Sequence, residues 1–466
     1  MRAWIDGLTG TLLGVVLLGP ACAGISYDPG RDCIMVVGFP EEQPATMDAV
    51  LAADRENAWG KVMYDAASDT YTVDADLWIG DDQSNGTFLQ MGDAKHPKVT
   101  VVVRGTVWVR PPRESTRRSD GLYSIINRLT LGDADDENIR ATLKIDCEAP
   151  GEHGLYVGYR LPGGAVVPRG SLRAYNSTIT AARQDEEHVW GTQDYTDEES
   201  SPRWAAPAWY ASDVRLINAT ISWFEKCVAY GSWTGEWGAR EPVDAMRPNP
   251  LIRIEGTTFE HGEFGVKNAR HYLRNCVFRD LDIAVGEGGA LSAKLVNCSF
   301  EGNERNWTLG SLYTGGIVML DCAIGPQTEP ITIKKNNIEP EEAARRGLPI
   351  YPACRVRESL LLKVVDSEEA PVPDAIVVVS CREEPEQVTR GATVTDENGW
   401  TPADPESSAI VVTVKRYRAT DVPNEPEVTT FTYDIAITAP GFQPKTLTLP
   451  ARHPIPRPVV VPLERE

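Results

Sequence analysis

A single pattern of apolar and polar positions recurs three times between residues 273 and 324. The repeated phrases are LRNCVF, LVNCSF and MLDCAI, which begin 22 and 24 residues apart. Each phrase has Asn or Asp, then Cys, and then Phe or Ile two positions later. Weaker copies lie upstream, namely AYNSTI with Asn176, LINATI with Asn218, and IEGTTF with Gly256 in the Asn position. A period of roughly 20 to 25 residues predicts stacked structural units rather than one closed core.

The units are predicted to be strands, because no amphipathic helical run fits between copies and the leucine-rich phrase is absent. We expect each short strand to pair in parallel with its counterpart one turn along, about 4.8 Å away. Cys and Phe are two positions apart and share a strand face, so we expect both to point inward. Asn suits the preceding corner because it tolerates left-handed backbone, and stacked Asn side chains can hydrogen-bond to one another.

These phrases resemble those of the right-handed parallel β-helix family, which includes pectate lyases and related polysaccharide-acting proteins. The resemblance covers residues 95–335. It implies an all-β fold, in which enzymes work on the outside of one sheet in a groove walled by loops from several turns.

The segments before the repeat predict export and an N-terminal cap. Residues 1–23 contain an apolar run followed by Ala21-Cys22-Ala23, which is typical of a cleaved signal peptide. A bacterial lipoprotein anchored through Cys22 is the alternative. Residues 24–94 are predicted to hold a cap and the first strands, with a helix starting after Thr46 as an amphipathic plug. No later stretch is long and apolar enough to span a bilayer.

Downstream of Ile324 the repeat stops. We predict a linker over 336–358, with a short helix near Pro340, and then a small β-sandwich over 359–466. The phrases TVTDENGWTP and ITAPGF resemble the carboxypeptidase regulatory-like domain, which implies a transthyretin-like accessory module without chemistry of its own. The residues that carry this resemblance are Thr395, Asp396, Gly399, Ala439, Gly441 and Phe442.

Charge and cysteine content narrow the partners. The net charge of −21 argues against nucleic acid as a partner and is consistent with a soluble exported protein. It also argues mildly against an anionic polysaccharide, unless a divalent cation bridges the two. Nine cysteines leave eight after cleavage at Ala23. The three in matched repeats are expected to be free and buried, because parallel stacking points their Cβ atoms the same way. A Cys354–Cys381 disulfide is left open, and no spacing suggests zinc.

Two polar, aromatic insertions interrupt the repeat, at 183–212 and 231–250. Because they come from neighbouring turns, we expect them to flank one surface. Aromatic rings stack on sugar rings, so an aromatic groove would suit a glycan. The alternative is that the rings form a small core that holds the loops. The candidate substrate-binding residues are Trp233, Trp237, Trp209 and Tyr230.

For catalysis, the turn HGEFGVKNARHY provides Lys267, Arg270 and His271 as a base and a clamp for a uronate carboxylate. Alternation predicts that Phe264 and Val266 point inward and Lys267 outward. Glu287 is expected nearby on the next turn. The alternative is an ordinary charged surface.

A hydrolase would use paired carboxylates, for which Asp280, Asp282 and Glu287 are weaker candidates. No cofactor or metal is predicted, although calcium could bind clustered oxygens. The two acidic clusters considered for it are Asp133, Asp135, Asp136 and Glu137, and Asp185, Glu186 and Glu187.

The function predicted from these observations is an exported, extracellular or cell-surface monomer that binds polysaccharide, with lyase or hydrolase activity left open. The alternative is a non-catalytic surface or adhesion module in which the β-helix is a rigid stalk.

Overall fold

The computed structural model describes most of the chain from residue 24 onwards. The described residues are 24–80, 86–110, 126–146, 154–157, 159–160, 166–167, 170–181, 211–224, 226–229, 252–267, 272–286, 292–309, 316–324, 332–333, 335–346, 349–423, 425–450 and 454–466. Two α-helices are described, α1 (Met47–Asn57) and α2 (Pro340–Arg346), and a short 3-10 turn covers Pro385–Gln387. Within these residues no helix has the length and apolar character needed to cross a membrane.

Strands make up most of the described chain. In the N-terminal part they are β1 (Gly24–Asp28), β2 (Cys33–Val37), β3 (Ala45–Thr46), β4 (Val62–Asp65), β5 (Thr70–Val73), β6 (Asp76–Ile79), β7 (Thr87–Met91), β8 (Lys98–Val103), β9 (Val107–Val109), β10 (Asn127–Leu131), β11 (Arg140–Ile145), β12 (Leu155–Val157), β13 (Tyr159–Arg160), β14 (Val166–Val167), β15 (Gly170–Tyr175) and β16 (Thr178–Ala181). The middle part contains β17 (Ala211–Ile217), β18 (Thr220–Ser222), β19 (Lys226–Ala229), β20 (Ile252–Glu255), β21 (Thr258–Lys267), β22 (Tyr272–Arg274), β23 (Val277–Gly286), β24 (Ser292–Val296), β25 (Ser299–Glu301), β26 (Arg305–Leu309), β27 (Gly316–Leu320), β28 (Ala323–Ile324) and β29 (Thr332–Ile333). The C-terminal part contains β30 (Ala353–Leu360), β31 (Leu362–Val365), β32 (Ile376–Cys381), β33 (Val388–Thr389), β34 (Ala392–Val394), β35 (Ile410–Arg418), β36 (Glu427–Thr430), β37 (Thr432–Thr438), β38 (Lys445–Pro450) and β39 (Val459–Pro462).

Most strands up to β30 form three sheets in which a strand pairs in parallel with its counterpart one turn along the chain, whereas β1–β2, β4–β5 and β13–β14 are antiparallel pairs. Sheet I has the order β3-β7-β10-β15-β17-β20-β22-β24-β27-β30, and sheet II runs β5-β8-β11-β16-β18-β21-β23-β25-β28. Sheet III, in the N-terminal half, has the parallel order β2-β6-β9-β12. This arrangement is a parallel β-helix, as the repeat predicts.

The corner between sheets I and II is made by the Asn position of the repeat. Every residue in this position has a positive φ, in the left-handed region that Asn, Asp and Gly tolerate best. The Asn218 Nδ2 donates a hydrogen bond to Asn176 Oδ1 on the preceding turn, at 3.3 Å. The φ values of the residues in the Asn position are 50° at Asn176, 51° at Asn218, 63° at Gly256, 54° at Asn275, 52° at Asn297 and 55° at Asp321. The predicted corner is therefore confirmed.

The Cys and Phe positions also behave as predicted. Cys276, Cys298 and Cys322 are buried and free. The rings of Phe259, Phe278 and Phe300 stack along the rod with centroids 5.2 and 5.1 Å apart. One role was not predicted, because each thiol donates to the carbonyl two residues earlier, as from Cys276 Sγ to Arg274 O at 3.3 Å. Hydroxyls do the same in the weaker copies, at Ser177 and Thr257.

A second left-handed corner divides the ten-residue strands β21 and β23 into two halves. It consists of Trp223, His261, Asp280 and Gly302, with φ values of 63°, 54°, 50° and 68°. Beyond this corner the lumen is narrow, because the stacked Phe rings fill it. A Cβ on Gly265 would lie 2.9 Å from Phe278 Cδ1. Strand β21 therefore has a glycine at the position that faces the stacked Phe rings.

At the N-terminal end, α1 lies against one strand from each sheet region, contacting β1, β3 and β4. Its buried residues include Met47, Val50 and Leu51, which belong to the same core as the β-helix lumen. Thr46 occupies the N-cap position with extended backbone, but its side chain makes no capping hydrogen bond. A helix in this place shields the apolar end of the stack from water.

The C-terminal end is closed by a β-sandwich that continues sheet I. β30 pairs in parallel with β27 and antiparallel with β35, so it is both a turn of the β-helix and a strand of the sandwich. The segment predicted as a linker, 336–358, therefore contains α2 and most of β30. The sequence did not reveal this strand because ACRVRESL lacks the Asn-Cys phrase.

The sandwich packs β30, β33, β35 and β36 against a second sheet with the order β34-β32-β37-β38. The turn at Thr395–Gly399 accounts for the residues of the phrase TVTDENGWTP. Asp396 Oδ1 accepts hydrogen bonds from the backbone N–H groups of Asn398 and Trp400, at 2.9 and 2.8 Å. Gly399 has a φ of 76°, and a Cβ there would lie 2.4 Å from Val364 O. Cys354 and Cys381 are both free and buried, so the disulfide left open above is not formed.

Candidate functional site

The predicted site residues lie, in sequence, where strands of sheet II are followed by strands of sheet I. Four consecutive strands of sheet I are β17, β20, β22 and β24. The segments that lead into them are 182–210, 230–251, 268–271 and 287–291. We call this set of four segments the loop corner. Because neighbouring strands are about 4.8 Å apart, the four strands that follow it span roughly 14 Å of the axis.

Most of the predicted site residues lie outside the described residues. These are Arg270, His271, Glu287, Trp209, Tyr230, Trp233 and Trp237. For Lys267 the structure describes the strand position but not the side chain. The catalytic and substrate-binding roles assigned to all eight residues therefore stay predictions.

The strand register nevertheless defines how three of the four segments start. Lys267, the last residue of β21, is paired with Ala229 of β19 and with Gly286 of β23. Tyr230 follows Ala229 directly, and Glu287 follows Gly286 directly. The segments carrying Tyr230, Arg270 and Glu287 thus begin from one row of neighbouring backbone positions.

The side-chain direction predicted for Phe264 needs a correction. Phe264 is only 4% exposed, but the adjacent Gly265 faces Phe278 in the lumen. Because successive side chains of a strand point to opposite faces, Phe264 points away from the lumen rather than into it. Regular alternation breaks down after Gly265, because Val266, the residue before Lys267, is also fully buried in the core, as predicted. The outward direction of Lys267 stays a prediction.

At the second left-handed corner, Trp223 and His261 form a compact aromatic pair. Their rings stack with centroids 4.3 Å apart and planes 17° apart. Trp223 also packs against the core. Both residues hold a left-handed conformation that is rare for bulky side chains and costs free energy. Of the aromatic residues clustered in this region, Trp223 therefore has a structural role.

The charged residues of the same strands form ordinary surface pairs. Arg279 lies 3.3 Å from Glu260 and 3.0 Å from Glu301, on the preceding and following turns. Of the hydrolase candidates, Asp280 is a corner residue with positive φ. Desolvation, followed by the nearby Glu304, raises the pKa of Asp282.

A file of aromatic residues on sheet III was missed by the sequence analysis. Trp78, Trp108 and Tyr156 are paired in register on β6, β9 and β12, with their apolar neighbours pointing inward. The signal was present as Trp or Tyr between buried residues in DLWI, VWV and LYV. However, the Arg110 guanidinium already covers the rings of Trp78 and Trp108, at 4.8 and 5.1 Å. These ring faces are less available for stacking on a sugar.

Metal ligation was considered at two acidic clusters. In the first, Asp133 Oδ1 accepts backbone hydrogen bonds from Asp135 and Asp136, which builds a turn. The second cluster, Asp185, Glu186 and Glu187, lies outside the described residues. In the part of the chain that the structure describes, no three His, Cys, Asp or Glu side chains converge as a metal site would require.

No family model and no curated protein matches the chain. Among solved structures it is similar to WceF of Pantoea stewartii, described as a glycan biofilm modifying enzyme with a tailspike-like parallel β-helix fold. The identity is 10%, the TM-score is 0.26, and the match covers 83% of this chain and 59% of WceF.

A second similar structure is a double mutant of the periplasmic alginate epimerase AlgG. Here the identity is 8%, the TM-score is 0.20, and the match covers 72% of this chain and 97% of AlgG. At such identities and TM-scores the likeness carries no argument about activity.

Proposed function

We propose that the protein is exported and binds a polysaccharide at the loop corner, with the glycan lying along the rod axis. The observation that carries this proposal is the order of sheet I. Its consecutive strands β17, β20, β22 and β24 each follow a segment that holds a candidate binding or catalytic residue. A polymer bound along the axis would meet these segments one after another.

The chemistry of the residues supports the same proposal. The two long segments provide tryptophan and tyrosine, which stack on the apolar faces of sugar rings. The short segment 268–271 provides Arg270 and His271 beside Lys267. Cationic groups in a chain of net charge −21 would favour an acidic sugar at this corner over the rest of the surface.

If the protein is a lyase, Lys267 or His271 removes the proton next to the uronate carboxylate. Arg270 neutralises the negative charge that then develops. The electron pair of the broken C–H bond forms a C=C bond, and the glycosidic oxygen leaves with its electrons and gains a proton. No water is consumed, so the product is an unsaturated sugar.

The test is incubation with uronate-containing and neutral glycans, with binding and ultraviolet absorbance of unsaturated product both recorded. Lys267→Ala should abolish product, while Lys445→Ala on β38, an edge strand of the sandwich outside the loop corner, should not. Trp233→Ala with Trp237→Ala should weaken binding by about tenfold or more, as loss of a stacked ring does. Trp59→Ala near α1 is the matched control. Binding without product would leave a lectin-like protein.

One observation favours the rival function of a rigid stalk. β30 joins the β-helix to the sandwich through continuous strand pairing, which leaves no free linker between them. Absence of binding to every glycan in the panel would refute the polysaccharide proposal and support the stalk.

A further inference from the structure

A buried histidine lies at the N-terminal end of the rod and connects three separate elements. His96, in the turn between β7 and β8, is 8% exposed. Its neighbours are Asp48 in the first turn of α1, Asp69 in the β4–β5 hairpin, and Tyr71 on β5. The cluster therefore joins the helix that covers the end of the stack to the strands below it.

Both imidazole nitrogens face carboxylates. His96 Nδ1 lies 2.6 Å from Asp69 Oδ1, and His96 Nε2 lies 3.3 Å from Asp48 Oδ2. The Tyr71 hydroxyl donates to Asp48 Oδ1 at 2.7 Å and is also 3.2 Å from His96 Nε2. Two further groups complete the cluster, namely Tyr64, whose hydroxyl donates to Asp69 at 3.1 Å, and Lys95, which pairs with Asp48.

This geometry suits only one protonation state of the ring. As an imidazolium, His96 has two N–H donors, one for each carboxylate. As a neutral ring it keeps one donor, and the lone pair on the other nitrogen faces an anion. The single proton of Tyr71 cannot serve both Asp48 and His96 Nε2. Deprotonation also changes the summed charge of Asp48, Asp69, Lys95 and His96 from zero to −1.

We propose that this cluster is a pH-sensitive clasp, which holds α1 against the end of the β-helix while His96 is protonated and loosens it when the ring loses its proton. The groups that face the ring come from all three packed elements: Asp48 from α1, Asp69, Tyr64 and Tyr71 from the hairpin, and Lys95 from the turn itself. Asp93 accepts hydrogen bonds from the backbone N–H groups of Lys95 and His96 and fixes the turn in both states.

The direction of the pH dependence follows from linkage. Burial alone lowers the pKa of His96, but the hydrogen bonds and charges of Asp69 and Asp48 outweigh burial and raise it above its ordinary 6.5. A group with a raised pKa stabilises the folded state fully below its ordinary pKa, and this stabilisation is lost as the pH rises through the raised value. The clasp is therefore closed below the ordinary pKa of histidine and loosens as the pH rises through the raised pKa of His96.

The test is hydrogen exchange of the α1 amides in the full chain at pH 5.5 and pH 9, corrected for the intrinsic pH dependence of exchange. The opening constant of α1 should rise by about tenfold for each unit by which the pKa of His96 is raised. Asp69→Asn keeps an oxygen that can accept the hydrogen bond from His96 Nδ1 but removes a negative charge. The opening of α1 should therefore occur at a lower pH in this variant than in the unmutated protein. His261→Gln, at the corner stacked on Trp223, should keep the normal profile.

Two outcomes overturn the inference: equal protection of α1 at both pH values, or an Asp69→Asn profile identical to that of the unmutated protein. A third measurement needs no variant of the clasp. In the unmutated chain with 13C-labelled histidines, the His96 resonance should titrate with a midpoint above about 6.5, the ordinary value for histidine. A midpoint below that value would also overturn the inference.

Discussion

The stacked Phe rings allow a quantitative test of how the rod is held together. Phe278 is fully buried, and its ring lies between those of Phe259 and Phe300. Truncation to alanine removes a large buried side chain, which costs about 3–5 kcal/mol when the site cannot collapse. This site has little freedom to collapse, because parallel strand pairing fixes both neighbouring rings and Gly265 has no side chain to move into the space. We therefore expect Phe278→Ala to lower the free energy of unfolding by about 4 kcal/mol.

The assay is equilibrium urea unfolding followed by circular dichroism. Arg279→Ala is the matched control one residue away, since its partly exposed ion pairs are worth about 0–1 kcal/mol. A double-mutant cycle adds specificity. Phe278 and Phe300 should show a coupling energy of at least about 0.5 kcal/mol, as expected for residues in contact. Phe278 and Phe431, which lies in the sandwich, should be additive. A Phe278→Ala cost no greater than that of Arg279→Ala would refute stacking as the basis of the rod.

Two further predictions concern the thiols and the junction. Burial raises the pKa of Cys227 to about 12 from an ordinary 9.0. At pH 8 its thiolate fraction should therefore be about a thousandfold below that of a free cysteine. Mass-spectrometric mapping should find Cys227 labelled by a thiol reagent only after denaturation, and rapid labelling of the native protein would contradict the structure. Asp321 accepts hydrogen bonds from the Ser359 N–H and hydroxyl, both at 2.7 Å, and pairs with Arg457. Asp321→Ala should therefore cost about 2–3 kcal/mol, and limited proteolysis should then cut near residues 347–352 faster than in the unmutated protein, with equal rates refuting the role of Asp321 at the junction.

The sequence alone determined the rod. A corner that needs positive φ accepts Asn, Asp or Gly, and a narrow lumen accepts a repeated small and large side chain, so the phrase around Asn275, Asn297 and Asp321 could be read without coordinates. Such constraints act on each turn separately and recur in every copy. They leave a periodic trace in the chain, which is why the parallel β-helix and its buried thiols could be predicted.

Only the tertiary structure decided the features that depend on residues far apart in the chain. The His96 clasp joins Asp48, Asp69 and Tyr71 from different elements, and none of these residues belongs to a motif. Strand β30 belongs to both the β-helix and the sandwich, and it lacks the Asn-Cys phrase that marks the other turns. A second corner inside a strand that looks continuous in sequence also changes side-chain direction. Alternation predicts that direction only while the backbone stays extended. On β23, Phe278 and Leu281 are both buried in the core although they are three positions apart, because the left-handed Asp280 lies between them.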